Sequence, residues 1–89
     1  MMASQVEEPI YSTTDTSLAA YLHSEGFELL DVDTSGFPSI FHFKNDNPKL
    51  MDYVRAFQVG KARGNIVIFF KSYKKMLTEI KDGARRNNG

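Results

Sequence analysis

Hydrophobic positions along this chain alternate between a helical and a strand period, and the switches divide it into elements. Leu18, Ala19, Tyr21 and Leu22 fall at helical spacing and predict one stripe of a helix over about 15–25. Ahead of it, Thr13, Thr14 and Asp15 supply oxygens that can accept the unpaired first N–H groups. Gly26 stands where a left-handed C-terminal cap is wanted. The period then drops to two. Residues 27–33 and 38–44 read as strands flanking Asp33-Thr34-Ser35-Gly36, a cluster of turn formers. In the second strand Phe41 and Phe43 share one face and Ile40 and His42 the other, which predicts an antiparallel hairpin with one face on the core. Asn45-Asp46-Asn47-Pro48 opens the next helix. Asp46 or Asn47 can cap it, and the missing N–H of Pro48 costs nothing in a first turn. Leu50, Tyr53, Val54 and Phe57 fall on one side of that helix, and Gly60 ends it.

The last segment carries two competing signals. Residues 65–70 are β-branched and aromatic, so by composition alone they read as a strand. Yet Ile66, Phe69, Phe70, Tyr73, Met76, Leu77 and Ile80 recur at three- and four-residue spacing. A pattern sustained over about four turns outweighs local β propensity. It predicts one helix over about 67–82, stopped by Gly83, with Lys71, Lys74, Lys75 and Lys81 on its polar side. Ile10 and Tyr11 form a short extended lead-in. The expected fold class is α+β, a two-stranded antiparallel hairpin packed against three helices in α-β-β-α-α order. A flexible N-terminus over 1–9 precedes a single globular domain over 10–83, and a disordered tail over 84–89 follows. The expected core is Leu18, Leu22, Leu30, Phe41, Phe43, Val54, Phe57, Phe70, Tyr73, Leu77 and Ile80.

Charge adds what hydropathy does not show. The formal net charge is zero, but it is sorted along the 89 residues. Residues 1–46 carry Glu7, Glu8, Asp15, Glu25, Glu28, Asp31, Asp33 and Asp46 against Lys44 alone. Residues 47–89 carry Lys49, Arg55, Lys61, Arg63, Lys71, Lys74, Lys75, Lys81, Arg85 and Arg86 against Asp52, Glu79 and Asp82. A neutral chain divided this way can present a cationic surface that attracts polyanions. It can equally pair its two halves, within one molecule or between two. There is no cysteine, which removes disulfides, thiolate zinc sites and a cysteine nucleophile, and favours the cytoplasm. The longest apolar run, residues 66–70, is far short of the ~20 residues that span a bilayer, so no membrane role is expected. The polar, acidic start lacks a signal-peptide core.

Candidate chemistry is sparse. Asp31 and Asp33 share a strand face, and with His42 on the partner strand they have metal-ligand chemistry. The strand parity that turns Phe41 and Phe43 inward turns His42 to water, so this reads as a solvated hairpin face and no metal is expected. His23, Ser24 and Glu25 hold a base, a hydroxyl and a carboxylate, but consecutive helical residues diverge by about 100° and cannot converge on one proton. Gly60-Lys61-Ala62-Arg63-Gly64-Asn65 is a basic glycine loop before a helix, the kind of segment that can cradle an anion, although its spacing matches no phosphate-loop motif. Lys71, Lys74, Lys75 and Lys81 form a basic stripe on the last helix, with Arg85 and Arg86 beyond it. That is the electrostatic footprint of nucleic-acid contact.

Thr14-Asp15 before Leu18-Ala19-Ala20-Tyr21-Leu22, then Gly26-Phe27-Glu28-Leu29-Leu30, resembles the opening of a small bacterial and phage family of domains of unknown function. Phe41-His42-Phe43, Phe57 with Gly60 and Ala62-Arg63, and Phe70, Tyr73, Leu77 and Lys81 continue the resemblance over roughly 11–82. Members of that family have a short apolar-to-proline link where this chain has Gly64-Asn65-Ile66. The resemblance implies an α-β-β-α-α order and an association with mobile elements, and it brings no activity, cofactor or catalytic residue. The expectation is therefore a small non-enzymatic binding module without cofactors. Lys61, Arg63, Lys71, Lys74, Lys75 and Lys81 would contact nucleic acid or an acidic protein surface. The alternative is a structural domain that self-associates as a homo-oligomer, its acidic half against a neighbour's basic half.

Overall fold

The computed structural model describes residues 9–88, with side chains as far as Gly83. Six elements follow one another: β1 (Ile10–Thr13), α1 (Thr16–Ser24), β2 (Leu29–Asp33), β3 (Ile40–Lys44), α2 (Lys49–Gln58) and α3 (Ile66–Asn88). Among the described residues the sheet has three antiparallel strands in the order β1-β3-β2, not the two of a lone hairpin. The expected lead-in at Ile10 and Tyr11 is a strand of its own, paired with the far side of β3. Its alternation is visible only once paired: Tyr11 and Thr13 turn toward the core, Ile10 and Ser12 outward.

Local signals set the helix ends. Asp15 Oδ1 accepts the Leu18 N–H at 3.1 Å, and Asn65 Oδ1 accepts those of Val67 and Ile68 at 2.9 and 3.1 Å. This second cap gives residues 66–70 to the helix, in spite of their β-branched composition. Asn47 Oδ1 takes the Lys49 N–H at 2.9 Å, while Asp46 lies 3.5 Å from the Lys44 ammonium instead. At both Gly26 (φ 96°) and Gly60 (φ 77°) the chain turns left-handed. The next residue's N–H returns to the helix, Phe27 to the Leu22 carbonyl and Lys61 to that of Ala56.

Gly83 does something else. The helix runs through it to Asn88, so Gly83 is not the stop that the periodicity predicts, and the side chains of the expected tail over 84–89 lie outside the described ones. A β-carbon on Gly83 would meet Thr34 Oγ1 at 2.5 Å and Cγ2 at 2.6 Å. Glycine lets α3 close on the hairpin loop. The expected flexible N-terminus lies outside the described residues, apart from Pro9, whose carbonyl accepts the Asn45 N–H.

The helices cover one face of the sheet, and α1 is central, in contact with α2, α3 and β1. Leu18, Ala19, Ala20, Tyr21 and Leu22 are all buried, with Phe41, Phe43, Leu50, Val54 and Met76 around them. Tyr53 and Phe57 wedge α2 onto Tyr21, at ring-centroid distances of 6.1 and 5.6 Å. Three expected core residues are not in the core. Leu30 is exposed because β2 bulges between Leu29 and Asp31, which lets Leu29 and Val32 both face inward opposite Phe43 and Phe41. Phe70 and Leu77 are exposed because α3 is turned to bury Ser72, Met76 and Gly83, with Phe69, Tyr73 and Ile80 half-buried alongside.

Candidate binding surface on the last helix

The rotation of α3 decides what the protein shows to solvent. At about 100° per residue, positions 66, 70, 74, 77 and 81 fall in one stripe, beside the face turned to α1. Their occupants are Ile66, Phe70, Lys74, Leu77 and Lys81. The apolar members are 67 % (Ile66), 54 % (Phe70) and 46 % (Leu77) exposed, and Val67 and Lys71 flank the stripe, also exposed. Among the described residues Lys71, Lys74 and Lys81 are in no ion pair. An aromatic ring, Phe70, therefore stands free among lysines, held edge-on by Phe69 at 5.7 Å.

The six basic candidates do not form one patch. Lys75 lies on another side of α3, its ammonium 3.6 Å from Glu79. Lys61 and Arg63 line a separate shallow cleft with Tyr21, Tyr53, Glu25 and Asp52. The loop that carries them is ill suited to an anion. Asn65 already accepts two of the first amides of α3, the Arg63 carbonyl accepts the Tyr21 hydroxyl at 3.2 Å, and the Glu25 carboxylate lies against Gly64. The side chains of Arg85 and Arg86 lie outside the described ones.

The histidines have structural partners. His23 Nδ1 meets Ser72 Oγ of α3 at 2.8 Å, while Ser24 donates back to the Tyr21 carbonyl. Burial, and next the Lys75 charge, hold the His23 pKa below the ordinary histidine value. Ser72 is buried, so its hydroxyl ties α1 to α3 and does not face solvent. His42 Nδ1 meets Ser12 Oγ at 2.7 Å and its Nε2 lies 3.9 Å from Asp31 Oδ1, a polar chain across the outer face of all three strands. Asp33 engages the following turn instead. It accepts the Ser35 hydroxyl and N–H, which lower its pKa, and it ties down the turn. Among the described residues no three such side chains gather as a metal site. No described helix is long and apolar enough to cross a membrane.

The exposed apolar residues of α3 belong to the periodic set Ile66, Phe69, Phe70, Tyr73, Met76, Leu77 and Ile80, which spans an arc of about 120°. The helix is turned so that the Met76 side of that arc meets α1 and the Ile66, Phe70 and Leu77 side faces water.

No curated protein and no solved structure matches the chain. A family model described as "Domain of unknown function (DUF5659)" matches residues 8–86, from just before β1 to the last turns of α3. The match takes in β1 to α2 whole and α3 with its stripe as far as residue 86, and the chain thus belongs to the DUF5659 family.

Proposed function

We propose that this domain is a non-catalytic docking module whose α3 stripe binds an acidic protein surface. One observation carries the reading: Ile66, Phe70 and Leu77 are exposed in line with Lys74 and Lys81, and Lys71 lies beside them. Contiguous apolar surface left open on a small domain marks an interaction site. An apolar centre with a charged rim is the anatomy of a protein–protein interface. The lysines steer an acidic partner, and the apolar side chains supply the burial, at ~25 cal/mol per Å² removed from water. Nucleic acid is the lesser reading, because such interfaces are polar and use few aliphatic contacts. A mobile-element origin and a cytoplasmic location go with this proposal, the first resting on the family resemblance and the second on composition.

The test measures binding to two probes, an acidic amphipathic Glu/Leu helical peptide and short random DNA or RNA. Two variants are compared, Lys71→Glu/Lys74→Glu/Lys81→Glu and Phe70→Ser/Leu77→Ser. Both should stay folded by circular dichroism, since exposed positions away from special features rarely matter beyond about 0.5 kcal/mol each. Both should lose the peptide. Binding of nucleic acid that only the charge reversal removes would transfer the site to nucleic acid. A salt-sensitive dimer abolished by either variant would transfer it to a second copy of the chain.

A further inference from the structure

Among the described residues, in the order β1-β3-β2, only one side of β2 bonds to another strand, so every second residue of β2 turns its N–H and C=O to an open edge. A cleft of about 480 Å³ runs along that edge, lined by every residue from Gly26 to Val32 in unbroken succession. Successive strand residues point to opposite faces. The lining joins the inward-facing Leu29 and Val32 to Glu28, Leu30 and Asp31, which places the space beside the backbone of β2. Lys75 and Glu79 of α3 and His23 of α1 complete the lining.

Charge selects the occupant. Glu28 and Asp31 line the cleft, Asp31 with its carboxylate also 3.9 Å from His42 Nε2 on the outer face, while the Lys75 ammonium lies 3.6 Å from Glu79 and is balanced by it. Leu30, set outward by the bulge, adds an apolar contact. A second copy paired β2 to β2 would bring the acidic side chains of two identical strands together, and like charges facing across a ladder destabilise it. Acidic residues on an edge also block stray pairing, but that role needs no cleft beside them.

We propose that the β2 edge receives an extended, lysine- or arginine-bearing segment of another protein as a fourth strand, its backbone bonded to β2 and its cations on Glu28 and Asp31. This surface is separate from the α3 stripe and does not depend on it. The full-length, isotope-labelled protein is titrated with a capped alternating Arg-Val hexapeptide. The same sequence with every amide N-methylated and a Glu-Val counterpart serve as controls. The Arg-Val peptide should shift the amides of residues 28–32 and slow their hydrogen exchange. N-methylation should abolish binding with charge unchanged, and the Glu-Val peptide should not bind. Glu28→Lys/Asp31→Lys should weaken binding roughly tenfold, as attractive contacts become repulsive. The N-methylated control tests the pairing whether or not that variant folds. Shifts confined to α3, equal binding by the N-methylated peptide, or no binding by the Arg-Val peptide at millimolar concentration would overturn the proposal. Concentration-dependent protection of β2 without any peptide would also overturn it, in favour of a second copy.

Discussion

Gly83 sits inside α3, where alanine would ordinarily add about 1 kcal/mol of helix propensity. Its approach to Thr34 reverses that sign, because the added methyl has no room. Gly83→Ala should lose about 1–3 kcal/mol, the usual cost of overpacking. Combined with Thr34→Ala it should lose less than the two single changes together, since the clash is then relieved. Urea unfolding of the four proteins decides it, and strictly additive losses would mean that the two residues do not press on each other. His23 makes a second prediction at this scale. Its folded pKa lies below the ordinary value of about 6.5, so as pH falls the unfolded chain takes up the proton first. Stability is therefore complete above that value and falls as pH drops toward the folded-state value. The melting temperature should decline between about pH 7 and pH 5, a range above most carboxylate titration. His23→Gln should flatten the decline. A parent protein whose melting temperature is level over that range would contradict the assignment.

At the scale of elements, α3 shows how a correct helix can carry a wrong face. Its existence follows from periodicity and its start from Asn65, both read from neighbours in sequence. Its rotation follows from contacts with α1 and the hairpin loop, the Ser72–His23 bond and the closeness of Gly83 to Thr34 among them. Small Ser72 and Gly83 and flexible Met76 can approach other backbones, and bulky Phe70 and Leu77 are left outside. Met76→Ala should therefore cost about 2–5 kcal/mol, and Phe70→Ala about 1 kcal/mol or less. Thermal unfolding of both gives the comparison, and the reverse order would restore the phase read from the sequence. The same reasoning explains β2. Its composition announces a strand, but the bulge that separates Leu30 from Leu29 and Val32 exists only against β3. The open edge and its cleft could not be read from residues 27–33 alone.

Across the whole molecule, support is uneven. β3 is bonded on both sides, whereas α2 is held chiefly by α1, through Leu50, Val54 and the rings stacked on Tyr21. Native-state hydrogen exchange should find the slowest amides in β3 and α1, and a lower-energy opening of α2. Uniform protection across the helices would contradict that order. The sequence by itself determined the α+β class, the three helices, the hairpin strands, two of the three glycine signals and the inward Phe41 and Phe43. Each of these depends on capping, φ preference or side-chain parity within a few residues, so backbone geometry decides it before any partner arrives. The third strand, the bulge, the face of α3, the role of Gly83 and the partners of both histidines belong to the tertiary structure. Ser12 meets His42 from 30 residues away and Ser72 meets His23 from 49, and no local pattern encodes which distant backbone will come that close. Both candidate surfaces arise at this second level, because each is what remains uncovered once α3 and β3 have taken their places.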